Sequence, residues 1–114
     1  MFKVVREYFD DIMSVAYPLL APEFRMRYTK DILSKPHYGK LFVFNTKENA
    51  LRYIKTAGGI GIQLWTCEEL NAVKADGFLF FIDPISGRLT KTIMTPPDGT
   101  FAVDGIKLIE RISI

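Results

Sequence analysis

The stretch from Leu41 to Thr66, LFVFNTKENALRYIKTAGGIGIQLWT, decides the fold that the sequence predicts. Its first four residues are apolar and large or β-branched, which is typical of a short strand covered on both faces. Asn45 then predicts a helix N-cap, and Glu48, three residues later, completes a capping box. Gly58 begins a pair of glycines that ends the helix. Alternating apolar and polar residues follow and predict a second strand.

One main helix is predicted between these two strands, over residues 46–57. Its apolar residues recur at helical spacing and form a stripe that faces a sheet: Ala50, Leu51, Ile54 and Ala57. Strand, helix and strand span 26 residues, which is the length of a minimal crossover unit. The pattern leaves open whether the two strands are parallel neighbours.

The remainder of the chain predicts short strands separated by turns. Residues 8–20 fit either a helix or a strand, and we favour a hairpin with the opening strand FKVVR, because Asp10 and Asp11 suit a turn and Pro18 would break a longer helix. Residues 67–73 predict a short connection or an outer strand. Further strands are predicted at residues 24–29, 78–82, 89–94, 100–103 and 106–112. The fold class is therefore α+β, with a mixed, mostly antiparallel sheet of about seven or eight strands and one main helix.

The composition predicts one globular domain, residues 1–114. Hydrophobic residues make up 48% of the chain and the net charge is +2, so neither a disordered chain nor a strongly electrostatic partner is indicated. Cys67 is the single cysteine, which excludes an intrachain disulfide and favours a reducing compartment. The charged N-terminal segment does not resemble a signal peptide, and no apolar run is long enough to span a membrane. We expect a cytoplasmic protein without a membrane partner.

Two groups of residues are candidates for binding. Trp65 and Gln63 share one strand face, where a Trp either faces a ligand or covers the edge of the core. Arg25 and Arg27 share a face of the strand predicted at residues 24–29, and Tyr28 follows. Arginines with an aromatic neighbour are compatible with a nucleic-acid contact, but Glu23 and Asp31 dilute the basic charge and a solvated strand face explains the pattern more simply.

The chemical motifs in the sequence are weak. His37 and Cys67 are the only residues of their types, and no local signature makes them a catalytic pair. The glycines from Gly58 to Gly61 end a helix, whereas a phosphate-binding loop opens one. We expect no metal and no cofactor.

The chain resembles small phage and bacterial proteins of uncharacterised activity. The resemblance is carried by KVVR near the start, by Ser14, by the junction LFVFNTKENA and by the strand that bears Trp65. It covers residues 2–66 and, more faintly, residues 100–112, and it implies a domain type without a known activity.

A more distant resemblance is to the ADP-ribosyltransferase fold, which also has an Arg on its first strand, a Ser on a later strand and a Glu towards the C-terminal part. The resemblance implies that Arg6 would clamp a phosphate and that Ser14 would shape the site. Glu68 or Glu69 would supply the carboxylate that stabilises the transition state.

We therefore expect a small non-enzymatic binding or interaction module with a protein partner, encoded by a phage or prophage. A homodimer formed by pairing of strand edges is also compatible with the pattern. The first alternative is a nucleotide-binding or ADP-ribosyltransferase-like enzyme that uses Arg6, Ser14 and Glu68. The second alternative is a weak nucleic-acid binder that uses Arg25, Arg27 and Lys30.

Overall fold

The computed structural model of the chain describes residues 1–14, 26–36, 40–75, 78–82, 89–93 and 96–114. These residues form one helix, α1 (Lys47–Ala57), and eleven strands. In chain order the strands are β1 (Phe2–Tyr8), β2 (Asp11–Ser14), β3 (Arg27–Tyr28), β4 (Leu33–Ser34), β5 (Leu41–Phe44), β6 (Ile62–Leu70), β7 (Val73–Lys74), β8 (Phe78–Ile82), β9 (Leu89–Ile93), β10 (Thr100–Val103) and β11 (Gly105–Ile112).

The strand pairings in the described residues are all antiparallel. The main sheet has the order β4-β11-β6-β1-β5-β10-β7, β2 and β3 extend it beside β1, and β8 and β9 form a separate hairpin. Because β1 lies between β5 and β6 and is antiparallel to both, β5 and β6 run in the same direction without pairing with each other. β5, α1 and β6 therefore form a split β-α-β unit.

The main sheet curves until its two sides meet at Asp104. This single residue separates β10, which pairs with β5 on one side, from β11, which pairs with β6 on the other. Its carboxylate forms an ion pair with Lys40 and accepts a hydrogen bond of 2.9 Å from the side chain of Asn71. Lys40 precedes β5 and Asn71 follows β6, so Asp104 ties three parts of the sheet together at one end.

The curved sheet buries an apolar cluster on each face. The cluster beneath the helix joins Ala50 of α1 to Val4, Phe44 and Leu64 of the central strands. The inner face buries a larger cluster, whose members are Val5, Met26, Tyr28, Leu41, Val43, Trp65, Cys67, Val103, Ile106 and Leu108. Side chains alternate between the faces of a strand, so each central strand contributes to both clusters.

The hairpin predicted for residues 8–20 is confirmed where the structure describes it. β1 and β2 pair antiparallel, with Tyr8 opposite Asp11, so the two turn residues are Phe9 and Asp10, whereas Asp11 belongs to β2. Residues 15–20 lie outside the described part of the chain. Both turn residues have positive φ, 49° and 69°, as in the primed turns that match the twist of two-residue hairpins.

The single main helix is confirmed, but the predicted N-cap is wrong by one residue. Thr46 is the N-cap, and its hydroxyl accepts a hydrogen bond of 3.2 Å from the amide of Asn49. Asn45 is held outside the helix because its backbone amide donates to the carbonyl of Gly99 over 2.9 Å. The predicted C-cap at Gly58 is confirmed, since its amide donates to the carbonyl of Ile54 over 2.9 Å.

The mostly antiparallel sheet with one helix is also confirmed, but the predicted number of strands is too low. Part of the difference is the two-residue strand β4, which is too short to carry an alternating pattern. β3 lies within the strand predicted at residues 24–29. The strand predicted to end near Thr66 continues to Leu70, because β11 pairs with it along most of its length.

Candidate functional site

The exposed turn between β1 and β2 presents an aromatic pair. Phe9 is 85% exposed and Tyr8 is 40% exposed, and their rings meet edge to face with centroids 4.6 Å apart. A positive φ is uncommon for a residue other than glycine and is strained for a bulky one. The chain therefore holds a large apolar side chain in solvent and in an unfavourable backbone conformation. Such strain is concentrated at functional positions in proteins.

The loop between α1 and β6 lies against the same end of β1. The guanidinium of Arg6 donates a hydrogen bond of 2.7 Å to the carbonyl of Ile60, and the amide of Glu7 donates one of 2.8 Å to the carbonyl of Gly61. These bonds fix the loop next to Tyr8, while the side chain of Ile60 is 92% exposed. Tyr8, Phe9 and Ile60 together are called the apolar tip below.

Close packing keeps this loop in place. A Cβ atom at Gly61 would lie 2.7 Å from the carbonyl oxygen of Glu7, and one at Gly59 would lie 2.8 Å from the guanidinium of Arg6. Both glycines also have positive φ, so no other residue fits without strain. The loop is thus held by contacts that require glycine, and the position of Ile60 follows from them.

Acidic residues border the apolar tip beside Phe9. Asp10 and Asp11 adjoin Phe9 and are exposed, and the carboxylate of Asp11 lies 3.9 Å from the guanidinium of Arg27. The carboxylates next to Phe9 give this part of the tip an acidic border.

Trp65 and Gln63 lie together on the inner face of the sheet, as their shared strand face predicts, but both are buried. The indole N–H of Trp65 donates to the side-chain oxygen of Gln63 over 3.0 Å, and the amide of Gln63 donates to the carboxylate of Glu7 over 2.9 Å. These three side chains form a polar chain from the core to the residue that precedes the apolar tip. Buried polar groups require such partners.

Tyr28 is buried in the same inner cluster as Trp65. The ammonium of Lys3 lies 5.7 Å from the centre of the Tyr28 ring, within the range of a cation–π contact. The same ammonium donates a hydrogen bond of 2.8 Å to the carbonyl of Phe42. Three of the residues predicted to bind, Tyr28, Gln63 and Trp65, thus come together in the interior rather than on a groove.

The structure does not bring the three residues of the enzyme-like hypothesis together. Arg6 lies opposite Ile62 at the start of β6, whereas Glu68 lies six positions farther along that strand, roughly 20 Å away at the rise of a strand. Glu68 pairs with Lys107 over 3.6 Å, and Glu69 pairs with the N-terminal amine over 3.4 Å. The backbone of Ser14 lies opposite Val5.

The remaining candidates offer no cluster in the described residues. Arg27 is exposed and lies near Asp11, while Arg25 and His37 lie outside the described ranges. Cys67 is buried, which raises the pKa of its thiol to about 11 and leaves it a poor nucleophile near neutral pH. Where the structure describes the chain, no three His, Cys, Asp or Glu residues are placed to hold a metal ion.

The described part of the chain also contains no helix that is both long and apolar enough to cross a membrane. Comparison with protein-family models, curated proteins and solved structures finds no match.

The apolar tip was missed in the sequence because its residues resemble ordinary core residues. Phe9 falls in an apolar stripe with Ile12 and Met13 that fits a helix equally well. The available signal was its position directly before Asp10, at the centre of a two-residue turn, where Asn or Gly is the usual residue.

Proposed function

We propose that the chain is a non-enzymatic interaction module and that its protein partner docks on the apolar tip. The observation that supports this proposal is Phe9, which is 85% exposed at a φ of 49°. A hairpin that served only to reverse the chain would be more stable with Asn or Gly there. An aromatic side chain that is rigidly held and solvent-exposed is typical of the anchors that fill pockets at protein interfaces.

The loop at Ile60 supports the same proposal. Its side chain is 92% exposed, yet its backbone is fixed by Arg6 and by the bond between Glu7 and Gly61. A preorganised surface loses little conformational entropy on binding, so its apolar area contributes more to affinity. The tip therefore has the two properties that a docking element needs, apolar exposure and rigidity.

The contacts of the described residues support an enzyme or a nucleic-acid binder less well than they support an interaction module. Arg6 and Glu68 are separated by roughly 20 Å along the sheet, so we do not propose catalysis by these residues. Arg27 has an acidic neighbour in Asp11, which weakens its use as a phosphate contact.

The test is site-specific photo-crosslinking in the cells that make the protein. A benzophenone amino acid replaces Phe9 in one variant and Lys47, an exposed residue at the start of α1, in the control. We expect a discrete crosslinked protein from position 9 and none from position 47. Equal crosslinking from both positions, or none from position 9 with the protein correctly folded, would contradict the proposal.

A further inference from the structure

We infer that Asp98-Gly99 is a site of spontaneous backbone modification, at which the aspartate converts to isoaspartate through a cyclic imide. The inference is independent of the proposed function. In this reaction the backbone nitrogen of a glycine attacks the side-chain carboxyl carbon of the preceding aspartate. Glycine favours the attack because it has no side chain to crowd the nitrogen and because its backbone has the widest conformational freedom.

The reaction needs no reagent other than water. The bond between the nitrogen of Gly99 and Cγ of Asp98 forms, and the bond between Cγ and one oxygen of the protonated carboxyl breaks. The amide proton and the hydroxyl group leave as one water molecule. A second water molecule then opens the imide at the former main-chain carbonyl, so that the chain runs through Cγ and the mass of the protein is unchanged.

Asp98 and Gly99 are the two central residues of a turn between Pro97 and Thr100. The amide of Thr100 donates a hydrogen bond of 3.2 Å to the carbonyl of Pro97, and Gly99 has the positive φ, 76°, that the third position of such a turn requires. The side chain of Asp98 is 83% exposed, and its described contact is an exposed ion pair of 3.4 Å with Arg52, which is a weak restraint. The central amide of the turn takes no part in the closing bond, so both reacting groups are lightly held.

The same dipeptide occurs at Asp104-Gly105, where the structure restrains both groups. The carboxylate of Asp104 forms an ion pair with Lys40 and accepts a hydrogen bond of 2.9 Å from Asn71. These contacts, that of Lys40 first, hold the pKa of Asp104 below its ordinary value, so less of the carboxyl is in the protonated form that reacts. Gly105 lies in β11 opposite Leu70, and a Cβ atom at Gly105 would lie 3.1 Å from a methyl group of that leucine. The backbone there has little room to rotate.

Isoaspartate at position 98 should loosen the junction between β5 and the helix. The carbonyl of Gly99 accepts the hydrogen bond of 2.9 Å that holds the amide of Asn45 outside α1. Thr100, the next residue, is buried and lies opposite Phe44. The modified linkage adds one carbon atom to the main chain directly before Gly99 and therefore displaces both contacts. Modified molecules should be less stable than unmodified ones.

The test compares the two sites in the same molecule. Wild-type protein is incubated folded and, in parallel, unfolded in urea, both at about pH 5, where ordinary aspartate carboxyls are still partly protonated. Trypsin cleaves after Lys91 and Lys107, so one peptide carries both Asp98 and Asp104. Another peptide carries the Asp-Gly sequence at residues 76–77, which lies outside the described part of the chain. Electron-transfer fragmentation then assigns isoaspartate to one position by cleaving beside the added backbone carbon.

In the folded protein, isoaspartate should form at position 98 at least about tenfold faster than at position 104, a difference of about 1.4 kcal/mol in activation free energy. In urea the two positions should react at similar rates, because the dipeptide is the same. Lys40→Ala should raise the rate at position 104 and leave the rate at position 98 unchanged, and Asn71→Ala serves if Lys40→Ala does not fold. Asp98→Glu is the control for stability, because its longer side chain does not close the five-membered imide. After the same incubation, a larger share of the wild type than of Asp98→Glu should unfold at a lower temperature.

Equal rates at positions 98 and 104 in the folded protein would overturn the inference, since the dipeptide alone would then determine the reaction. Reaction at position 98 in urea only would also overturn it, because the turn would then protect Asp98. If the release of Asp104 does not raise the rate at position 104, the contrast between the sites does not come from its contacts. Equal loss of stability in the wild type and Asp98→Glu would overturn the predicted effect on the junction.

Discussion

The guanidinium of Arg6 donates to the carbonyl oxygen of Ile60 over 2.7 Å and thereby fastens the loop after the helix to the first strand. Arg6 also lies near the C-terminal end of α1, where a positive charge interacts favourably with the unpaired carbonyl groups of a helix. One side chain thus stabilises the helix end and positions an exposed apolar residue. This arrangement links the stability of the loop to the proposed docking surface.

Replacing Phe9 should separate stability from binding. Phe9→Asn is expected to raise the free energy of unfolding by about 0.5–1 kcal/mol, because Asn tolerates a left-handed conformation that costs most residues about 1–2 kcal/mol. With the benzophenone amino acid moved to Ile60, the exposed neighbour in the apolar tip, the same variant should lose the crosslinked species. Chemical denaturation gives the stability, and crosslinking from position 60, with and without Phe9→Asn, gives the binding.

Phe9→Val is the control for that experiment, because a β-branched side chain is strained most at positive φ. It should unfold more easily than the wild type, whereas Phe9→Asn unfolds less easily. Equal destabilisation by both variants would mean that the ring of Phe9 contributes to folding rather than to docking.

Gly61 should be the least replaceable glycine of the loop. Gly61→Ala places a Cβ atom 2.7 Å from the carbonyl oxygen of Glu7, and that oxygen belongs to the sheet backbone and cannot move aside. The strain of a positive φ and the overpacking together should lower the free energy of unfolding by about 2–4 kcal/mol. Denaturant unfolding monitored by the fluorescence of Trp65, the only tryptophan, measures this loss.

Gly99→Ala is the matched control for Gly61→Ala. Gly99 has a similar φ, 76° against 79°, but its Cβ atom would meet the side-chain ends of Asn45 and Asn49 rather than backbone. Those side-chain ends can rotate away, so Gly99→Ala should lower the free energy of unfolding clearly less than Gly61→Ala does. The reverse order would show that the contact between Glu7 and Gly61 is not tight in solution.

The sequence predicted features that depend on neighbouring residues and missed features that depend on distant ones. Residues 41–44, the glycine at position 58 and the turn beside Asp10 are local, and the structure agrees with each. The alternation of β6 placed Gln63 and Trp65 on one face, but it could not show that this face is interior. That depends on the curvature of the sheet at Asp104, which requires the pairing of β10 and β11 with two different strands.

The enzyme-like hypothesis depended in the same way on register. Arg6 and Glu68 belong to strands that pair directly, so the topology alone would allow them to meet. The observed register sets Arg6 opposite Ile62 and leaves Glu68 beyond the start of β1. A register between strands 50 or more residues apart in sequence follows from the packing of both faces, and no local motif specifies it.

The pair of Gln63 and Trp65 should be strongly coupled in stability. Gln63→Leu removes the acceptor of the buried indole N–H, and an unpaired buried donor costs about 1–3 kcal/mol. In Trp65→Phe the donor is absent, so adding Gln63→Leu to that variant should cost less. A double-mutant cycle measured by denaturant unfolding gives the coupling; additive effects would mean that water replaces Gln63 as the acceptor.

Asp104 should make the stability depend on pH in the acid range. Its hydrogen bonds from Lys40 and then from Asn71 hold the pKa of this carboxyl below its ordinary value of 3.8. A carboxyl with a lower pKa in the folded state stabilises the fold fully above its unfolded pKa, and that contribution is lost as the pH falls through the folded pKa. The melting temperature should therefore fall more steeply below about pH 4 in the wild type than in Asp104→Asn. Parallel pH profiles for the two proteins would show that Asp104 does not hold the two sides of the sheet together in solution.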